Sequence, residues 1–262
     1  MSRRLVSLVT PVHGPAVSLL PEAYASLAQQ ELPEGWDWEW LVQEDGEGVN
    51  AAAHLPGDDP RISIDFSRRG GPQVARTMAF ARSCISGESE FIKVLDADDR
   101  LAPGVLARDI DILTRYPKVG WTTSRALDLL PDGSTVGFEG DPEKGVLPAG
   151  SVWQYWQLNK RAQVHPATLC ARRDLMLVLG GWMALPASGD TGLLLGLDTL
   201  ADGWFHDEVG LLYRKHPDQI TQHPFHSQGP EWEARMRIIE EHTRALRAMM
   251  GVTSPDGSCH RG

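Results

Sequence analysis

The sequence has few cysteines, no long apolar run and no excess of basic residues, and each shortage excludes a class of protein. Its 262 residues include three cysteines, far apart and in no metal-ligand spacing, so neither a disulfide framework nor a zinc site is expected. No stretch has the uninterrupted apolar length that crossing a bilayer requires, so no transmembrane segment is expected. The formal net charge of −10 argues against a nucleic-acid-binding protein. It also means that an anionic ligand would need a metal ion or nearby arginines.

What remains is the composition of an ordinary globular chain. The hydrophobic share is 42% and the charged share is 23%, and the length suits one large domain or two small ones. The first apolar segment, Leu5–Val9, is too short for the core of a signal peptide. We therefore expect a cytoplasmic protein.

Hydrophobic periodicity predicts an α/β fold. In the first hundred residues it predicts the order β-α-β-β-α-β, which indicates a mainly parallel sheet flanked by helices. The predicted strands are 5–10, 38–42, 61–66, 91–95, 165–171 and 209–213, with a hairpin of 119–129 and 135–138. The predicted helices are 18–30, 74–86 and 105–116, then one from 173, one after 191 and an amphipathic one over 231–250. Residues 139–150, rich in glycine and proline, are predicted to be a mobile loop.

One predicted strand, Phe91–Leu95, ends abruptly in the carboxylates Asp96, Asp98 and Asp99. Ligands of open α/β sheets collect at the carboxyl ends of strands. Three acidic groups this close repel one another unless a cation or hydrogen-bond donors gather there. A D-x-D pair suits Mg²⁺ or Mn²⁺ shared with phosphates. The alternative is a solvated acidic turn that caps the following helix.

Seven short motifs, in this order, resemble the GT-A glycosyltransferases and most closely glycosyltransferase family 2. They span residues from about 5 to 220 and are Val6–His13, Glu44–Gly46, Ala75-Arg76, Leu95–Asp99, Gly180–Trp182, Gly189-Asp190 and Tyr213–His216. The resemblance implies inverting, metal-dependent transfer of a sugar from a nucleotide-diphosphate donor to an acceptor hydroxyl. A UDP-sugar is the favoured donor and a dTDP-sugar the alternative, and the acceptor would be a small molecule or a glycan.

The resemblance also implies a domain plan. Residues 1–228 would form one GT-A catalytic domain with a smaller subsheet on the acceptor side. Its first hundred residues would bind the nucleotide sugar, and residues 101–228 would bind the acceptor. The amphipathic helix, 229–252, could pair with a second copy in a homodimer, and residues 253–262 would form a flexible tail.

The resemblance assigns Thr10, Glu44 and Asp45 to the nucleotide base pocket, where a carboxylate can accept the imide N–H of uracil. Arg76 would face the base or the diphosphate, and Asp96 would contact the ribose or the cation. For the acidic pair the alternative is an Asp-Gly turn, and for Arg76 it is a surface position on a helix.

On the cation side, the resemblance makes Asp98 a direct ligand of Mn²⁺ or Mg²⁺, with Asp96 beside it and His216 as the second ligand. Asp190 would be the general base that takes the proton of the acceptor hydroxyl. Trp182 would stack against a sugar. The alternatives are a structural role for His216, a helix N-cap for Asp190 and core packing for Trp182.

Two positions depart from the family pattern: Thr77 stands where the family commonly has Asn, and Gly189 where it usually has an acid. The second departure leaves open a catalytically silent GT-A domain that only binds nucleotide sugars. A sugar-phosphate nucleotidyltransferase is a further alternative. That class places a glycine-rich loop after its first strand, whereas Pro11–Pro15 occupies this position here.

Overall fold

A mainly parallel sheet forms the centre of the molecule. The computed structural model describes residues 3–217, 219, 221 and 223–251, so the predicted tail lies outside the described residues. The ten strands found there are β1 (Arg4–Val12), β2 (Trp36–Asp45), β3 (Ile62–Ser67), β4 (Ser89–Val94), β5 (Arg100–Leu101), β6 (Val119–Leu129), β7 (Thr135–Gly137), β8 (Gly145–Leu147), β9 (Cys170–Arg172) and β10 (Asp202–Arg214).

The strand order is β3-β2-β1-β4-β9-β6-β10-β5, with β7 paired to β6 and β8 paired to β10. The six longest strands all point the same way, because β9 pairs antiparallel with both β4 and β6. The antiparallel additions β5, β7, β8 and β9 are two or three residues long. The predicted α/β class is thus confirmed, and the short antiparallel strands belong to the same ten-stranded sheet.

Helices cover both faces of the sheet. They are α1 (Leu20–Ala28), α2 (Pro72–Ser86), α3 (Val105–Arg115), α4 (Ser151–Asn159), α5 (Arg173–Leu179), α6 (Gly189–Leu200) and α7 (Pro230–Met249). Successive residues of the central strands alternate between two apolar clusters, as the period-two geometry of a strand requires. One cluster includes α1 and α3, and the other includes α2, α5 and α6.

Three parts of the chain differ from the prediction. Residues 151–159, for which no element was predicted, form α4. The strand predicted over 165–171 is mostly a 3-10 turn, Pro166–Thr168, and the strand itself, β9, begins only at Cys170. The last strand begins at Asp202 and not at 209, since two exposed acidic residues form an irregularity after His206 that hid the pattern.

The predicted loop 139–150 is also partly ordered, since β8 lies within it and pairs with β10. The predicted amphipathic helix is confirmed as α7, which packs on α6 and buries Ile239 and Thr243. Its role in a homodimer stays a prediction. Among the described residues, no helix is both long and apolar enough to cross a membrane.

An ion pair is buried between the sheet and α3. Lys93 of β4 donates to Asp109 of α3 at 2.8 Å, and their side chains are 1% and 0% exposed. Lys93 also donates to the carbonyl of Thr168 at 2.7 Å, and the Thr122 hydroxyl donates to the second oxygen of Asp109. Each charge therefore has hydrogen-bond partners that offset the cost of leaving water. The pair fastens the 3-10 turn to the middle of the sheet.

Replacing Lys93 by Met should lower the free energy of unfolding by about 3–5 kcal/mol, because the Asp109 carboxylate is left buried and unpaired. Urea unfolding followed by circular dichroism measures this. The matched control is Arg115→Ala, which breaks the exposed pair with Asp111 and should cost about 0.3–0.5 kcal/mol. Equal small losses in both variants would contradict the role given to the buried pair.

Candidate active site

A cleft opens at the carboxyl ends of the parallel strands, where ligands of such sheets bind. Its volume is about 340 Å³. The end of β1, the start of α2, the turn after β4, the 3-10 turn, the start of α6 and the segment after β10 all contribute walls. Of the nine predicted site residues, the cleft brings together Arg76, Asp96, Asp98, Asp190 and His216. Thr10, Glu44, Asp45 and Trp182 are not among its lining residues.

Arg76 is a buried cation among carboxylates. Its guanidinium donates to Asp96 at 2.5 Å and to Gln73 at 3.2 Å. Burial works to lower the pKa of Arg76, but the charges of Asp96, Asp190 and Asp98 outweigh it and the pKa is raised. The side chain therefore carries a fixed positive charge on the cleft wall of an acidic protein. The surface-helix alternative for Arg76 is wrong.

Asp98 and His216 meet on the wall of the cleft. Oδ2 of Asp98 lies 2.9 Å from Nε2 of His216, and both side chains remain partly exposed. His216 follows β10, whereas Asp98 follows β4, so the contact depends on the ends of two separated strands. A carboxylate and an imidazole that meet in this way are ligands of a type that divalent cations accept.

Asp99 joins those two strand ends. It is 1% exposed, and its Oδ1 accepts the backbone N–H of Arg214 at 2.9 Å. The Arg214 guanidinium in turn donates to the carbonyl of Asp98 at 2.8 Å. Burial, with the charges of Asp98 and Asp96, raises the pKa of Asp99 well above its ordinary value. Asp99 thus supports the position of His216, a role that the bare run of aspartates did not reveal.

Asp190 is the second residue of α6 and lines the cleft. The N-cap position belongs to Ser188, at φ +63°, so the N-cap alternative for Asp190 is wrong. Oδ1 of Asp190 accepts the N–H of its neighbour Thr191 at 3.0 Å. Arg235 of α7 is 2% exposed and donates to the Ser188 hydroxyl at 2.8 Å, which fixes the strained turn before Asp190.

The three residues predicted to hold the nucleotide base are engaged by the protein itself. The fully buried Thr10 hydroxyl donates to the carbonyl of Leu95 and accepts from the Trp40 indole. Glu44 accepts the N–H of Ala51. Asp45 accepts the N–H groups of Gly70 and Gly71, just before α2. These contacts shape the strand ends and loops beside the cleft, and a direct contact of the three residues with a ligand stays a prediction.

Trp182 lies in the core. It is 4% exposed and meets Phe80 edge to face, with ring centres 6.4 Å apart. This position agrees with the core-packing alternative and gives no support to a sugar-stacking role.

The two departures from the family pattern have local structural partners. The Thr77 hydroxyl binds both the N–H and the carbonyl of Trp182, at 3.1 and 3.2 Å. A Cβ at Gly189 would lie 2.6 Å from the carbonyl oxygen of Met183, so no side chain fits there. Thr77 fastens the turn before α6, and Gly189 allows the chain to pass close to it.

A second cavity, of about 590 Å³, adjoins the cleft. Both cavities share a wall of five residues, namely His165, Pro166, Ser188, Thr191 and His226. The far side carries the aromatic rings of Tyr155 and Trp232 and the amides of Asn159 and Gln163. This cavity could not be predicted from local sequence patterns, because α4 and α7 come together there from distant parts of the chain.

Comparison with known proteins gives one related sequence and a shared fold. No family model matches the chain. It is 32% identical over 263 residues to the O-antigen biosynthesis protein RfbC of Myxococcus xanthus, a match that covers 97% of this chain and 19% of that protein. The chain thus spans about a fifth of the length of the curated relative it matches.

Solved structures of S. aureus TarS residues 1–349 are similar at 16% sequence identity. The complex with UDP-GlcNAc has a TM-score of 0.67 and the complex with UDP one of 0.65, and each match covers 94% of this chain. The matches cover 71% and 70% of those chains, respectively. The likeness shows that this chain shares their fold.

Asp45→Ala should lower the free energy of unfolding by about 1–3 kcal/mol, because the N–H groups of Gly70 and Gly71 lose their acceptor. Thermal or urea unfolding without ligand measures it, with the exposed Glu47→Ala as the control. Unchanged stability, together with a loss of nucleotide affinity, would instead assign Asp45 to the ligand alone.

Proposed function

We propose that the chain is the catalytic part of an inverting GT-A glycosyltransferase of family 2. It would move a sugar from a nucleotide-diphosphate donor, with UDP-sugars favoured, to an acceptor hydroxyl. The observation that carries the proposal is the meeting of Arg76, Asp96, Asp98, Asp190 and His216 in one cleft. These residues come from distant segments and were singled out by sequence. The relative in O-antigen biosynthesis and the UDP-bound structures of the same fold support it.

The donor diphosphate needs positive charge in this acidic chain. Arg76 supplies a fixed cation whose charge is maintained by three neighbouring carboxylates. Because Asp96 is paired to Arg76 at 2.5 Å, we assign it to orient that guanidinium and to contact the donor ribose or the cation. An arginine in such a position can bind phosphate oxygens through two parallel hydrogen bonds.

A divalent cation, Mn²⁺ or Mg²⁺, fits the donor set of the cleft. Asp98 and His216 would hold it, since their carboxylate and imidazole already meet. No group of three or more metal-binding side chains occurs within the described ranges, so the cation would take its other ligands from the diphosphate and water. When bound, it would neutralise the charge that builds on the leaving diphosphate.

Asp190 is the proposed general base. Transfer with inversion needs one carboxylate to accept the proton of the acceptor hydroxyl as its oxygen attacks the anomeric carbon. The bond to the diphosphate breaks as the new glycosidic bond forms, and no second acid is required. Asp190 lines the cleft from the helix start that Arg235 and Ser188 hold in place.

The acceptor is proposed to enter through the second cavity. That cavity opens next to the cleft, and its aromatic rings and amides are groups that bind the apolar faces and hydroxyls of sugars. This assignment moves the acceptor contacts away from the buried Trp182 and onto α4 and α7.

A screen of UDP-, dTDP- and GDP-sugars for metal-dependent hydrolysis tests the proposal directly. Cleavage of at least one donor is expected. Binding without cleavage would favour the catalytically silent domain, and neither binding nor cleavage would reject a nucleotide-sugar site.

Asp98→Ala should abolish the Mn²⁺-dependent part of UDP binding, because it removes the charged ligand of the cation. Calorimetric titration of UDP with and without Mn²⁺ measures the effect. Asp111→Ala, which removes an exposed carboxylate of α3, serves as the control and should behave as wild type. Metal-dependent affinity that survives in the Asp98 variant would overturn the cation assignment.

Asp190→Asn should lower turnover by roughly 10²–10⁴-fold while UDP affinity is kept, because the amide cannot take a proton. Donor-consumption kinetics and UDP titration give the two quantities. Asp174→Asn is a matched control, since Asp174 of α5 likewise accepts the N–H of the next residue but lies outside the cleft. Turnover close to wild type in the Asp190 variant, with binding intact, would rule out this base.

A further inference from the structure

His165 lies where the two cavities meet. It lines both of them and is only half-buried, so part of its ring is accessible from the cavities. The ring packs between Tyr213 and Phe138, with ring centres 4.8 and 6.0 Å away. A group travelling from the second cavity to the cleft must pass this wall. His165 is therefore placed to contact both reactants.

The backbone of His165 is rigidly held. Its carbonyl accepts the N–H and the hydroxyl of Thr168, at 3.0 and 2.7 Å. The Thr168 carbonyl accepts from the buried Lys93, and the Thr168 hydroxyl accepts the N–H of Ser124. The turn that carries His165 is thus fastened to two strands of the sheet. Such support fits a side chain that must keep a fixed position.

Its surroundings favour the neutral form of the His165 imidazole and leave its nitrogens free to bond a ligand. Burial lowers its pKa, while the charge of Asp190 acts in the opposite direction without restoring it. A neutral imidazole has one nitrogen that donates and one that accepts. Nδ1 is buried, so the accessible part of the ring presents the other nitrogen, Nε2, and within the described part of the chain neither nitrogen has a hydrogen-bond partner. The Ser188 hydroxyl, on the same wall, is already engaged by Arg235.

We propose that His165 binds a hydroxyl group of a carbohydrate acceptor at the wall between the two cavities and orients that acceptor towards Asp190. The inference rests on the proposed function and adds to it a residue that the family pattern did not assign. His165 takes no proton in the reaction. It supplies one hydrogen bond from a fixed position, and Asp190 remains the base.

The test measures what fraction of the cleaved donor is transferred to an added acceptor and what fraction is hydrolysed by water. The enzyme receives the UDP-sugar that it cleaves fastest, with methyl glucoside or glycerol at high concentration as the acceptor probe. Released UDP counts all cleavage, and glycoside product counts transfer. Their ratio is taken within one sample, so a loss of folded enzyme lowers both and leaves the ratio unchanged.

His165→Leu should lower the transfer-to-hydrolysis ratio about tenfold, the usual effect of losing one hydrogen bond to substrate. His165→Gln keeps a polar atom near the place of Nε2 and should restore most of the ratio. His54→Leu, at an exposed histidine outside both cavities, is the control and should match wild type.

A ratio in His165→Leu within twofold of wild type would overturn the inference and leave the transferase proposal standing. Donor cleavage by wild type without any glycoside product would overturn it as well, because a cavity open to the cleft should admit these small probes. If no donor is cleaved at all, the proposed function itself fails, and this outcome is distinct from the other two.

Discussion

The buried pair of Lys93 and Asp109 is the contact on which the cleft depends. The two charges lie on β4 and α3, and their side chains are almost completely buried. Removing such groups from water is costly, and the pair is tolerated because further hydrogen bonds satisfy both partners. One of these bonds reaches the Thr168 carbonyl. The same interaction therefore joins sheet, helix and the turn that lines both cavities.

A second set of contacts joins the carboxyl ends of β4 and β10. The three aspartates after β4 have different partners. Asp96 forms an ion pair with Arg76, Asp98 contacts the imidazole of His216, and Asp99 accepts the backbone N–H of Arg214. Only the first two remain accessible from the cleft. Three carboxyl groups can coexist here because each has its own partner, and because burial favours the neutral form of Asp99.

The second cavity is built from elements distant in sequence. Helix α4 begins after Gly150 without a capping side chain of its own. The Asp198 carboxylate, from the other end of α6, accepts the N–H groups of Val152 and Trp153 instead. Burial raises the pKa of Asp198 to about 6, against the effect of those hydrogen bonds. Local sequence signals could not predict this helix, because the carboxylate that caps it belongs to Asp198, 46 residues after Val152 in the chain.

The sequence by itself determined the class of the fold and identified five of the polar residues that line the cleft. Apolar periodicity is a local property, so β1–β4, α2 and α3 could be placed without knowledge of any contact. The positions of Arg76, Asp98, Asp190 and His216 followed from short motifs at strand and helix ends.

Tertiary structure alone decided what those side chains do for one another. In the folded chain Thr10 and Trp182 are buried, Asp99 accepts the backbone N–H of Arg214, and His165 lies between two cavities. Such roles depend on which atoms meet across the sheet. Neither hydrogen-bond partners nor burial can be read from periodicity, because both arise only when distant segments pack together.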